Sequence, residues 1–217
     1  MLFGQITGNN PENDRKNLFY TIKWLCEEFH NDKDVGVVLK TNSGRNTTID
    51  HKVTLNILQQ LLSEVRRGEY PKFHFLHGPM TEDEISSLYS HPKVKALVSL
   101  TRGEGYGLPL LEAAAAGLPV IATEWSGHLD FLKKGKFLGV KYRLKEVHPS
   151  RIDGQIFMEG SRWAEVDENH AKFRLRKFRK SPEKPIEWAV NLRETLLDQY
   201  SQNAINTIYD QELGKYF

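Results

Sequence analysis

Two glutamates eight residues apart, Glu104 and Glu112, occupy the middle of the stretch 95–132, and their neighbours suggest what they can do. Gly103, Gly105 and Gly107 surround the first, and Pro109 stands between the last of these glycines and Glu112. A short apolar run at 96–100 precedes the glycines, and another at 120–122 follows Gly117 and Pro119. Such runs are what strands covered on both faces show. A proline is tolerated in a first helical turn, and a glycine often follows a last one. The pattern therefore predicts strand, glycine loop, helix and strand, with the loop facing a helix N-terminus. The first amides of a helix have no intrahelical acceptor and its dipole favours negative charge, so an anion can bind there. Singly, each glutamate also fits a plainer role, complementing the helix dipole or being solvated in a loop. Their combination is the specific feature.

Glu-Gly-Tyr-Gly-Leu-Pro-Leu-Leu-Glu-Ala at 104–113, with Ala-Gly-Leu-Pro-Val-Ile-Ala-Thr at 116–123, resembles the Glu-x7-Glu signature of the retaining group 1 (family 4) glycosyltransferases of GT-B fold. Ser126-Gly-His-Leu-Asp-Phe-Leu132 resembles the Gly-Gly-x-x-Glu-x-(Leu/Val) element that follows the family's next strand. The resemblance covers 2–132 well and the remainder loosely, and it matches only the carboxyl-terminal, donor-binding half of such an enzyme. It implies that Glu112 accepts from the ribose hydroxyls of a nucleotide-diphosphate sugar and Glu104 from hydroxyls of the transferred sugar. Gly105, Tyr106, Gly107 and Leu108 would offer backbone amides to sugar and diphosphate. Arg15 and Lys16, at the opening of the first helix, would hold the diphosphate, a poor leaving group until its developing charge is neutralised. Cations at a helix start are otherwise mildly unfavourable. Glu104, Lys16 and Arg15 are thus the implied catalytic residues. The implied transfer is retaining, needs no metal or other cofactor and uses no side-chain nucleophile, the leaving phosphate assisting front-side attack. Gln5 stands after Gly4 where many members carry an arginine; if it replaces that arginine, either Arg15 compensates or phosphate binding is weakened. Lys40 and Gly78 fall at the carboxyl ends of the second and third strands, where they can touch base or phosphate. A strand-end lysine exposed to solvent and an ordinary turn fit those positions as well.

The elements that would position these residues alternate along the chain. A first strand is expected over 2–7, then a polar turn, then a helix capped by Asp14 that carries Leu18, Ile22, Leu25, Cys26 and Phe29. A strand at 35–39 precedes a helix from Thr48 with Val53, Ile57, Leu58, Leu61, Leu62 and Val65 on its apolar stripe. A strand at 73–76 precedes Thr81-Glu-Asp-Glu84, a capping box that starts another helix. After the central unit comes a sixth strand near 137–142. The expectation is a doubly wound, parallel, Rossmann-like sheet of about six strands, one half of a GT-B architecture, with extra C-terminal helices. The domain spans 1–142, and 143–217 packs on it as a loop at 143–159 followed by helices at 163–180 and 182–210, the second broken near Tyr200-Ser201.

With 217 residues, a net charge of +2, 39 % hydrophobic and 27 % charged residues, the composition is that of an ordinary globular chain and gives no global pull toward nucleic acid. No run approaches the ~20 apolar residues of a membrane span, no signal peptide is evident, and the single cysteine, Cys26, fits a reducing compartment. A cytoplasmic location is expected, extending to the inner membrane surface. The cue for that surface is Lys172–Lys180, six cations in nine residues with Phe173 and Phe178 interleaved. It is read first as a solvated basic face and second as a weak contact with anionic lipid. Asp32-Lys-Asp34 has the Asp-x-Asp form of metal-dependent transferases but precedes a strand, at the wrong end of the sheet, and is read as a turn. The expected partners are a nucleotide-sugar donor and a separate acceptor-binding domain or chain, without which the chain is expected to be inactive. The alternatives are a glycosyltransferase-like binding or regulatory module acting through a partner, and a membrane-surface binder using the basic helix.

Overall fold

The computed structural model describes residues 1–5 and 10–216. Its main sheet consists of two parallel groups of three strands. β1 (Leu2–Phe3), β2 (Gly36–Thr41) and β3 (Lys72–His77) form one; β4 (Leu97–Ser99), β5 (Val120–Thr123) and β6 (Leu138–Val140) form the other. The groups meet between β1 and β4: the Met1 amino group donates to the Ala96 carbonyl at 2.8 Å, and the Val98 amide donates to the Met1 carbonyl at 2.9 Å. Read across, the order is β3-β2-β1-β4-β5-β6, with the winding reversing between β1 and β4. Ligands on open sheets of this kind lie beyond the carboxyl ends of the strands at such a reversal. The doubly wound parallel sheet expected from the sequence is what forms. Of the first strand expected over 2–7, Leu2–Phe3 is observed and 6–9 lie outside the described residues.

Helices α1 (Leu18–Glu28), α2 (Thr48–Val65), α3 (Glu82–Tyr89), α4 (Leu108–Ala115) and α5 (Leu129–Leu132) connect these strands. α1 buries Leu18, Ile22, Leu25 and Cys26 in one apolar cluster with Leu2 and Leu39, and α4 joins a second cluster with Val120 and Phe131. The capping boxes Thr47/Asp50 and Thr81/Glu84 open α2 and α3. On α2 the expected stripe is rotated. Leu58, Leu61 and Leu62 are buried with Thr54, whereas Val53 and Ile57 are exposed. At α1 the helix opens later than expected. The Asp14 carboxylate accepts from the amides of Lys16 (2.9 Å) and Leu18 (2.7 Å), and Asn17 is left-handed at φ 54°. Arg15 and Lys16 therefore lie in the turn before the helix.

The largest departure falls after residue 140. The stretch expected as a loop begins with β7 (Tyr142–Glu146), and the helix expected from Trp163 begins as β8 (Arg162–Val166), the two strands pairing antiparallel. The cause is tertiary. Trp163, Ala164 and Val166 are buried, and the strand is fixed by pairing with β7 and by the Ala164 amide donating to the distant Arg102 carbonyl, so no local period reveals it. Asp167 then accepts from the His170 amide and opens α6 (Glu168–Lys180). α7 (Glu183–Gln199) and α8 (Gln202–Leu213) separate at Tyr200-Ser201 as expected, with Ser201 capping α8. α6 packs on α1 and α7 on α4. Leu175 and Phe178 of α6 belong to the first apolar cluster, and Leu192 and Leu196 of α7 to the second.

The basic face of α6 meets acidic groups around the end of α1. Lys172 pairs with Glu27 at 2.6 Å, Arg176 grips Glu28 through two hydrogen bonds of 2.8 and 2.9 Å, and Arg179 pairs with Asp32 at 2.8 Å. Asp32, half of the Asp-Lys-Asp sequence, is thus an ion-pair partner in the turn before β2.

Candidate functional site

Arg15 and Lys16 converge on Glu104. Arg15 Nη1 lies 3.0 Å from Oε2, and Lys16 Nζ lies 2.7 Å from Oε1. The Glu104 side chain is only 7 % exposed, so these contacts are shielded from water. Burial by itself would raise its pKa, but Lys16 and then Arg15 hold it below the ordinary value, and the carboxylate stays ionised at neutral pH. Arg15 also donates to the Gly103 carbonyl. The turn before α1 and the loop after β4 are therefore one unit, at the carboxyl edge of the sheet where the strand order reverses.

The loop is held from its other side by the segment after β5. Ser126, left-handed at φ 89°, accepts from the Glu104 amide through Oγ at 2.7 Å and donates to the Glu104 carbonyl. Gly127 packs so closely that a Cβ there would sit 1.8 Å from the Gly105 carbonyl oxygen. Gly107, at φ 93°, turns the chain into α4. Among the described residues no acceptor takes the amides of Gly105, Tyr106, Gly107 or Leu108. They are available to a ligand at the positive end of α4.

A cavity of about 620 Å³ opens beside this unit, with Gln5, Arg15, Lys16 and Pro109 on its wall. The structure thus brings together residues from three separate stretches that the sequence singled out. Others stand nearby without forming the wall. Glu112 lies one turn beyond Pro109 and accepts from the Tyr89 hydroxyl at 3.2 Å. Burial raises its pKa, Tyr89 lowers it, Glu82 raises it again, and the result is above the ordinary carboxylate value. Lys40 is buried, and its ammonium donates to Asn42 Oδ1 at 2.6 Å and to the Gly78 carbonyl. Lys40 therefore stands behind the wall, tying Asn42, which does line the cavity, to Gly78 at the end of β3. Tyr106 packs edge-on against Phe131 at 5.3 Å, and Leu108 is exposed.

Two contributions escaped the sequence reading. Arg102, 1 % exposed, donates through Nη1 to the carbonyls of Pro11 and Glu12 at 2.9 Å and of Asp14 at 3.3 Å. Its guanidinium faces the Trp163 ring at 5.0 Å. It fastens the turn carrying Arg15 and Lys16 to both the glycine loop and the β7–β8 hairpin. The available signal was a charge placed between a buried strand and a glycine loop, where burial demands a partner. The second contribution is Ser150 and Arg151, on the cavity wall, from the stretch expected to be a featureless loop. Among the described residues no group of three His, Cys, Asp or Glu side chains is placed to hold a metal, and no helix is long and apolar enough to cross a membrane.

Residues 59–148, which include the glycine loop and both glutamates, match the model of the group 1 glycosyl transferases. No curated protein matches the chain in sequence. Among solved structures, the C-terminal domain of the group 1 glycosyl transferase LpcC from Francisella tularensis superposes with a TM-score of 0.59 at 17 % identity, over 93 % of this chain and 85 % of that one. WaaG, a glycosyltransferase involved in lipopolysaccharide biosynthesis, gives 0.51 at 21 % identity, over 94 % of this chain and 43 % of its own. A UDP-forming α,α-trehalose-phosphate synthase from Burkholderia vietnamiensis gives 0.62 at 10 % identity, over 99 % and 45 %. The chain thus spans less than half the length of the latter two. At these identities the superpositions establish fold. In sequence over residues 59–148, and in fold over most of its length, the chain resembles the C-terminal domain of the group 1 glycosyltransferases of GT-B fold.

Proposed function

We propose that this chain is the donor-binding half of a retaining glycosyltransferase that works without a metal, and that a nucleotide-diphosphate sugar occupies the crevice between β1 and β4. The observation that supports this most is the convergence of Arg15 and Lys16 on Glu104 beside amides at the start of α4 that no acceptor among the described residues takes. A diphosphate resting on those amides has two cations within the same corner. As the bond from the sugar carbon to phosphate oxygen breaks, the charge developing on that oxygen is neutralised there. The acceptor hydroxyl attacks from the same face and passes its proton to the departing phosphate. Glu104 has both oxygens engaged by cations, which suits a fixed acceptor of sugar hydroxyls through its remaining lone pairs and not a nucleophile. Glu112 accepts from the ribose. The acceptor is positioned by a further domain or chain, and transfer is slow without it because the reacting groups are not held together.

The test is calorimetry with UDP- and GDP-sugars in the presence of EDTA. At least one donor is expected to bind, with Glu112→Ala weakening it by about tenfold or more, equivalent to ~1.4 kcal/mol. Absence of binding by every nucleotide sugar, together with a stable complex with another protein, would replace this reading with that of a regulatory module.

A further inference from the structure

The cavity wall contains a cation that the strand–helix units do not supply. Arg151 ends the short helical turn Pro149–Arg151 in the connection between β7 and β8, and it lines the cavity together with Ser150. That connection is pinned to the turn carrying Arg15. Asn13 Nδ2 donates to Ser150 Oγ at 3.1 Å, and Lys145 of β7 pairs with Glu12 at 2.8 Å. Within its own loop Arg151 has the Phe157 ring at 4.7 Å and the Asp153 carboxylate at 3.8 Å, beyond hydrogen-bond reach. Asp153 is itself held by the amides of Gln155, Ile156 and Phe157 at 2.8–3.0 Å. Among the described residues, the Arg151 guanidinium is thus the least engaged cation on the wall, since Arg15 and Lys16 both pair with Glu104.

Charge balance gives this placement a consequence. Glu104 offsets one of the two charges of Arg15 and Lys16, and a helix N-terminus adds about half an elementary charge. A nucleoside diphosphate ester carries a negative charge on each phosphate, which exceeds what that corner neutralises. We propose that Arg151 is the further phosphate-binding cation of the site, so that the β7–β8 connection is part of the donor-binding surface. This rests on the donor-binding reading above. Arg151 touches the ligand directly, and its partial exposure lets it swing between Asp153 and a bound phosphate.

The experiment is calorimetric titration of UDP and GDP, with uridine and guanosine as uncharged comparisons, into the full chain and its Arg151→Gln, Arg151→Lys and Arg162→Gln variants. Arg162 is an exposed arginine of the same hairpin that does not line the cavity. Arg151→Gln is expected to weaken the diphosphate that the parent chain binds by about tenfold, Arg151→Lys by less, and Arg162→Gln not at all. Affinity for the matching nucleoside should not change. Equal diphosphate affinity in the parent chain and Arg151→Gln overturns the inference and leaves the donor-binding reading intact. A parent chain that binds neither diphosphate overturns both. Equal losses in Arg151→Gln and Arg162→Gln would show a general charge effect and also overturn the inference.

Discussion

Glu104 and Arg102 show how single residues carry the site. Glu104 binds two cations from a turn 88 residues earlier in the chain, and its carboxylate is held below the ordinary pKa although burial opposes this. A depressed carboxylate contributes stability that is present above its unfolded pKa and is lost as pH falls through the lower, folded value. Glu104→Gln is therefore expected to cost about 1–2 kcal/mol at neutral pH, allowing for the partial exposure of Arg15 and Lys16. The gap between the two melting curves should narrow as pH drops below the ordinary carboxylate value of about 4.3. A gap constant with pH would mean the pair adds nothing. Arg102 works from behind the site. Arg102→Met leaves three carbonyls without their donor, and a loss of about 3 kcal/mol is expected in urea unfolding. Arg102→Lys should recover little of it, because an ammonium cannot reproduce the planar fork.

Among the elements, the glycine loop depends on the segment after β5 as much as on its own glycines. A methyl group at Gly127 would fall 1.8 Å from the Gly105 carbonyl oxygen, so the loop backbone must move to admit it. Gly127→Ala should abolish detectable nucleotide-diphosphate binding in calorimetry while the chain still unfolds cooperatively. Retained affinity would show that the loop tolerates displacement. α6 illustrates the opposite case, a conspicuous sequence feature half of whose six cations are paired within the molecule. Lys172, Arg176 and Arg179 face Glu27, Glu28 and Asp32, and Phe178 is buried. Flotation with anionic vesicles is therefore expected to leave the protein unbound at physiological salt, since three of the run's six cations are already paired with carboxylates. Salt-sensitive co-flotation would contradict that.

For the molecule as a whole, the sheet and its seven nearer helices form one packed body, to which α8 adds little. None of its described side chains is buried, and Ile208, Tyr209 and Leu213 are exposed. Deleting 202–217 is expected to shift the melting temperature by no more than about 2 °C, and donor affinity not at all. A larger fall would show that α8 packs more tightly than its exposure indicates.

Adjacency in the chain was enough to specify the alternating strands and helices, the capping boxes at Thr47 and Thr81, and the glycine loop that opens α4. Each of these depends on residues within a few positions of one another, where apolar period, capping and turn chemistry act directly. The motif at 103–117 also indicated an anion site, because a loop and the helix after it are covalently bound to be neighbours. That Arg15, Lys16 and Glu104 share one site was expected only through resemblance, and their direct ion pairing was not expected. The positions of Lys40 behind the cavity wall, Arg102 beneath the loop and Arg151 on the wall could not be read at all. β8 was mistaken for helix for the same reason. Its pairing with β7, like that of Lys40 with Gly78 and of Arg102 with Pro11, Glu12 and Asp14, joins residues outside the span of a local period, and packing decides such contacts when local preference is weak.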